Sequence, residues 1–145
     1  MMYLGADKFG YQTIAFVEEY MRSRGIEYAN QGVKSENEDL KLEDLIPRVT
    51  SQVLKNNNNK GILSCGTGIG VMVGANKLRG IRACLATNER IAEWMVVYDR
   101  CNILCLSGWN SNKEDIFKIV DSFLNAQYDG DQDRLHMLDV FDTWQ

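Results

Sequence analysis

The chain has 145 residues, 45% hydrophobic and 25% charged, with Asp+Glu 20 against Lys+Arg 16 and a formal net charge of -4. That length suits one domain with one sizeable core over residues 1–145, and an acidic balance without a basic block argues against nucleic acid or an anionic membrane as the partner. His136 is the only histidine, which rules out zinc sites built from several imidazoles, and four cysteines without C-x-x-C spacing read as reduced intracellular thiols.

Met2-Tyr3-Leu4 predicts a short strand ending at Gly5-Ala6-Asp7. Ile14, Val17 and Met21 line one face of a helix over residues 10–24, which Gly25 closes. Ile26 to Ala29 predicts a second strand, and Gln31 to Asp39 a charged loop. Leu42, Leu45, Ile46, Val49 and Val53 recur at helical spacing; a start near Glu43 or Asp44 puts Pro47 in or just after the first turn, where its missing N–H does little harm. Gly61 to Cys65 predicts a buried strand, and Val71 to Leu78 the helix after a glycine loop. Ile81 to Ala86 predicts a strand, Asn88 to Tyr98 a helix, and Asn102 to Leu106 a fifth strand. Glu114 to Asn125 and a terminal stretch over about 132–142 complete the helices. The alternation predicts a three-layer, Rossmann-like α/β fold on a five-stranded parallel sheet. No stretch approaches the roughly 18 apolar residues of a spanning helix, and no signal peptide is apparent, so a cytoplasmic protein is expected.

Ligands of such sheets bind beyond the carboxyl ends of the strands, which singles out Asp7-Lys8, Cys65 to Gly70, Thr87 to Glu89 and Ser107 to Asn110. Gly66, Gly68 and Gly70 can bring backbone N–H groups close to an anion or a developing oxyanion; the alternative is a tight turn with no ligand. A dinucleotide fingerprint fails because its last glycine falls on Val71, and a Walker loop fails for want of Gly-Lys-Ser/Thr. Cys65, ending a buried strand ahead of a helix, suits a base or nucleophile, against the alternative of a small buried hydrophobe. Cys84, Cys101 and Cys105 read as buried hydrophobes.

The run Gly61-Ile62-Leu63-Ser64-Cys65-Gly66-Thr67-Gly68-Ile69-Gly70, with Ala75-Asn76-Lys77 and Gly80-Ile81-Arg82-Ala83, closely resembles the core signature of the ribose-5-phosphate isomerase B and galactose-6-phosphate isomerase family. Gly5-Ala6-Asp7 with Gly10-Tyr11 resembles its opening motif, and Asn102-Ile103-Leu104 its fifth strand. The resemblance implies aldose–ketose isomerisation of a sugar phosphate through an enediol, with no metal or cofactor. It implies Cys65 as the proton-transferring base, because Ile69 stands where another branch carries Glu. Thr67 falls near the ring oxygen, Asp7 on substrate hydroxyls, and the N–H groups of Gly68 to Val71 form an oxyanion cradle, with Gly66, Ile69 and Gly70 lining the same loop. A homodimer or tetramer with sites between subunits is implied as well, the C-terminal helix reaching the partner.

Departures from the family pattern concentrate at the substrate end. Tyr98 stands where a ring-opening histidine is expected, Asp99 where Asn is usual, Lys8 where a histidine follows the first aspartate, and Trp109 where an arginine follows the fifth strand. The phosphate-binding arginines align to Gln132 and His136, with Arg134 two residues off the first. Lys8, Arg134 and His136 could hold a phosphate in a rearranged site with Tyr98 opening the ring. Alternatively the enediol chemistry serves another sugar: a tetrose or hexose phosphate, or one without phosphate. A partner-dependent subunit of a hetero-oligomeric galactose-6-phosphate isomerase and a non-catalytic sugar-phosphate sensor are the readings from other classes.

Overall fold

Strands and helices alternate as predicted. The computed structural model describes residues 1–145. Its elements run β1 (Met2–Ala6), α1 (Tyr11–Ser23), β2 (Tyr28–Asn30), α2 (Leu42–Val53), β3 (Lys60–Cys65), α3 (Ile69–Ala75), β4 (Ala83–Leu85), α4 (Glu89–Val97), β5 (Ile103–Ser107), α5 (Lys113–Asn125) and α6 (Gln132–Asp142). The strands form one parallel sheet in the order β2-β1-β3-β5-β4.

Because side chains alternate across a strand, each strand feeds two cores. Leu4, Ile62, Leu104 and Leu106 pack with Ile14, Val17 and Met21 of α1, Met95 of α4, and Ile116, Val120 and Phe123 of α5. Leu63, Cys65, Ile103 and Cys105 face the other way, against Leu45, Val49 and Val53 of α2 and Val71 and Ala75 of α3. Each large side chain buried this way contributes about 1.5–3 kcal/mol, so helices are held on both faces of the sheet.

Several boundaries differ from expectation for local reasons. Ile26 donates to the Met21 carbonyl at 2.9 Å to close α1 behind Gly25 (φ +64), so pairing in β2 starts only at Tyr28. Ile81 is held in a turn by Leu78 and Arg82 donates to Asn102 Oδ1 at 2.9 Å, which shortens β4 to Ala83–Leu85. Lys77 and Leu78 close turns on Gly74 and Ala75, so α3 ends at Ala75. Pro47 lies one or two residues deeper than expected because α2 begins at Leu42; the Glu43 carbonyl therefore has no proline N–H to accept from.

Strand order matters most for the site. β5 lies between β3 and β4, with Cys65 paired to Ser107. The loop after β5 therefore borders the glycine loop. The loop after β4 lies at the sheet edge, where Asn88 caps α4 by accepting from Ile91 N at 2.9 Å, while the Leu85 side chain that precedes it reaches 2.7 Å from where a Cβ on Gly68 would stand.

Candidate active site

At the C-terminal edge of the sheet, three neighbouring strands deliver one cluster. Ala6 pairs with Ser64, so the next residues, Asp7 and Cys65, stand side by side on adjacent strands about 4.8 Å apart. Asp7 turns the chain out of β1: its Oδ1 accepts from Phe9 N and Gly10 N, both at 3.0 Å. Burial pushes the Asp7 carboxyl above its ordinary value, while those two N–H groups and Lys8 pull it down. Its Oδ2 makes no hydrogen bond within the chain, which leaves an acceptor for a hydroxyl.

Cys65 is 5% exposed, and its Sγ faces Gly70 across the glycine loop, 3.8 Å from where a Cβ on that glycine would stand. The loop is bound to the next strand: Gly108 N donates to the Cys65 carbonyl at 2.8 Å, and Trp109 N and Ser107 Oγ donate to the Gly66 carbonyl at 2.9 and 3.0 Å. Gly68 caps α3 at φ +76, a left-handed conformation that side chains resist, and a Cβ there would sit 2.9 Å from the Leu106 carbonyl. Thr67 Oγ1 accepts from Ile69 N at 3.1 Å, so its own hydrogen remains available to a ligand oxygen. The N–H groups of Gly68, Gly70 and Val71 find no acceptor within the chain, as an oxyanion cradle requires. Ile69 is half exposed on the loop's outer side.

The other thiols are of a different kind. Burial pushes Cys101 up to about 12, with Cys84 and Asp99 adding to it. It also raises Cys105 and Cys84. These are neutral thiols, in agreement with the sequence reading.

Not all of the predicted site residues meet. The helices run back against the strands, so Tyr98, at the end of α4, lies toward the N-terminal edge of the sheet, opposite the edge that carries Cys65. The Arg134 guanidinium stacks 5.1 Å from the Tyr98 ring centroid. Asp99 is exposed beside Tyr98, and His136 is exposed on α6 with no hydrogen bond or ion pair. Within one chain, then, Asp7, Lys8, Cys65, Gly66, Thr67, Gly68, Ile69 and Gly70 form one group, and Tyr98 and Arg134 another.

The cations expected to hold a phosphate are already paired. Lys8 Nζ lies 3.2 Å from Asp39, and Arg134 binds Asp129 and Asp131. A cleft of about 420 Å³ also lies at the N-terminal edge, where Lys60, Arg82 and Arg100 line it. Arg82 there is paired with Asp142 at 3.6 Å and donates to the Arg100 carbonyl at 3.0 Å, and none of the glycine loop reaches the cleft.

Phe9 escaped the sequence reading, which singled out Trp109 only within Ser107 to Asn110 and as the residue standing where an arginine is usual. The two side chains flank the loop with rings 5.7 Å apart and edge to face at 72°. Nothing in the sequence separates an exposed aromatic from a core one; only the order of β5 beside β3 brings Trp109 to Gly66.

A parallel α/β sheet carrying a cysteine and a carboxylate beside a donor-rich glycine loop has the groups that an aldose–ketose isomerase needs, and the family match assigns the chain to that class. The family profile described as ribose/galactose isomerase matches residues 2–138. A probable ribose-5-phosphate isomerase B of Mycoplasma genitalium is 31% identical over 130 residues, covering 89% of this chain and 86% of that one. Among solved structures, a ribose 5-phosphate isomerase from Thermotoga maritima superposes with a TM-score of 0.92 at 32% identity, covering 98% of this chain and 97% of that one. Ribose-5-phosphate isomerase B from Mycoplasma genitalium with bound ribulose-5-phosphate superposes with a TM-score of 0.89 at 28% identity, covering 99% and 94%. The chain belongs to the ribose/galactose isomerase family.

Proposed function

We propose that this chain interconverts an aldose phosphate and its ketose, of the ribose 5-phosphate and ribulose 5-phosphate type, with Cys65 moving the proton. The observation that carries the reading is the juxtaposition of Cys65, Asp7 and the unaccepted N–H groups of Gly68, Gly70 and Val71. The thiolate of Cys65 takes the proton from C2 of the open-chain aldose, and the C1 carbonyl electron pair moves onto O1, where the loop N–H groups meet the charge. O1 gains a proton as O2 loses one, and the thiol returns its proton to C1, giving the ketose with no atom gained or lost. Asp7 holds a substrate hydroxyl, and Thr67 donates to the ring or carbonyl oxygen.

Tyr98, Asp99, Arg134 and His136 enter the site from a second copy of the chain in a homodimer or tetramer. Their distance from Cys65 within one chain supports this, as does the apolar surface that Val140, Phe141 and Trp144 leave exposed at the end of the chain. The cytoplasm is the expected compartment: four free thiols suit a reducing environment, and no helix is long and apolar enough to cross a membrane.

A second reading, a sugar other than a pentose phosphate, is favoured by one observation. Lys8 and Arg134, the cations offered to a phosphate, are each committed to carboxylates. Assays with phosphorylated and free tetroses, pentoses and hexoses decide between the two. For the chemistry itself, Cys65→Ala should slow exchange of the substrate C2 proton with solvent by roughly 10²–10⁴-fold while calorimetry still detects binding. Exchange at the wild-type rate would remove Cys65 from the role of base.

A further inference from the structure

We propose that Trp109, with Phe9 at its edge, is a specificity-determining residue of the Cys65 site, its indole face taking the C–H face of the substrate's carbon chain beyond the reacting carbons. This rests on the isomerase reading and names the feature of the substrate that the site reads. The indole is fixed to the loop that carries the base: Trp109 N donates to the Gly66 carbonyl at 2.9 Å, and a Cβ on Gly66 would lie 2.5 Å from Cε2 and Cζ2 of the six-membered ring. Gly66 thus has no side chain where the ring rests against the backbone.

The rest of the ring is open. Trp109 is 67% exposed and Phe9 51% exposed, so the pair forms an aromatic corner directly beside Cys65 instead of joining either core. A large aromatic left in water by its own fold is a surface for something else to cover. What it covers is constrained by charge. The nearest cation, Lys8, lies 5.5 Å from the Phe9 ring centroid and is turned toward Asp39 at 3.2 Å, so the open indole face of Trp109 carries no cation of its own. An aromatic face carries negative potential and attracts weakly positive hydrogens. A sugar chain presents such C–H hydrogens on the side opposite its hydroxyls, and those hydroxyls can at the same time meet Asp7 and Thr67.

The test uses the full-length protein with Trp94→Phe and Trp144→Phe, which leaves Trp109 as the only tryptophan of the three, and Cys65→Ala to stop turnover. Ribose 5-phosphate, erythrose 4-phosphate, ribose and inorganic phosphate are titrated by calorimetry and by emission. The expected result is a saturable change in Trp109 emission with every sugar that binds and none with inorganic phosphate. In the catalytically intact protein, Trp109→Ala should raise KM about tenfold, by a similar factor for phosphorylated and free sugars, with kcat within about twofold and Trp109→Phe in between. A merely structural role would instead lower kcat and leave emission unmoved. Sugar binding without an emission change, or an emission change with inorganic phosphate alone, would overturn the proposal and leave the isomerase reading standing. Failure of every sugar to bind would overturn the proposal together with the pentose and tetrose readings.

Discussion

Burying a carboxylate at a strand end costs hydration, and Asp7 recovers only part of it from the N–H groups of Phe9 and Gly10. Its pKa is therefore raised in the folded chain, mainly by burial. The folded state then binds this proton more tightly than the unfolded one, so the contribution of Asp7 is fully present below the ordinary carboxylate value and is lost as pH rises through the raised one. Asp7→Asn keeps an oxygen for both N–H groups and removes the charge. Urea unfolding at a series of pH values should show the variant gaining on the parent through the acidic range and holding a constant advantage above it, while turnover falls because the hydroxyl acceptor is weakened. A variant destabilised equally at every pH would mean that the charge is not the costly element. The placing of Asp7 and Cys65 at strand ends was legible in the sequence, because both end apolar strands. The burial that sets the charge cost at Asp7 was not, since it depends on the neighbours that fold around it.

At the scale of elements, periodicity located the helices that pack on the sheet, because each needs an apolar stripe toward it, whereas α6 buries only Leu138. It misplaced ends, where single hydrogen bonds decide. Pro47 is the clearest case. In α2 it lies in the second turn and is exposed, so it removes one N–H to the Glu43 carbonyl without adding buried contacts. Pro47→Ala restores that donor and should stabilise the chain, by up to about 3 kcal/mol less what the stiffer unfolded chain of the parent already gains. Thermal and urea midpoints check this; an unchanged or lowered midpoint would mean that the kink is needed to seat Leu45 and Val49 on the sheet. One sizeable core was expected; the sheet divides it in two, and which strand faces meet α2 and which meet α5 follows from sheet order.

For the whole molecule, the two groups of residues at opposite sheet edges lead to a complementation experiment. Cys65→Ala and the double variant Tyr98→Phe/Arg134→Ala should each be inactive alone. If sites join the Cys65 loop of one copy to Tyr98 and Arg134 of another across a two-fold interface, each mixed dimer has one intact site. After co-refolding at equal amounts, activity should return to about a quarter of the wild-type value. No recovery, or full activity of the double variant alone, would confine the site to a single chain.

The sequence by itself determined the alternation of strands and helices, the glycine loop with Cys65 and Thr67, and the family resemblance, because these reside in short contiguous runs whose periodicity and motifs are local. Only the tertiary structure decided that β5 inserts beside β3, bringing Trp109 onto Gly66. It also decided that Tyr98 and Arg134 stand away from Cys65, and that Lys8 and Arg134 are tied to carboxylates. Strand order and ion pairing join residues tens of positions apart, and no local pattern encodes such contacts.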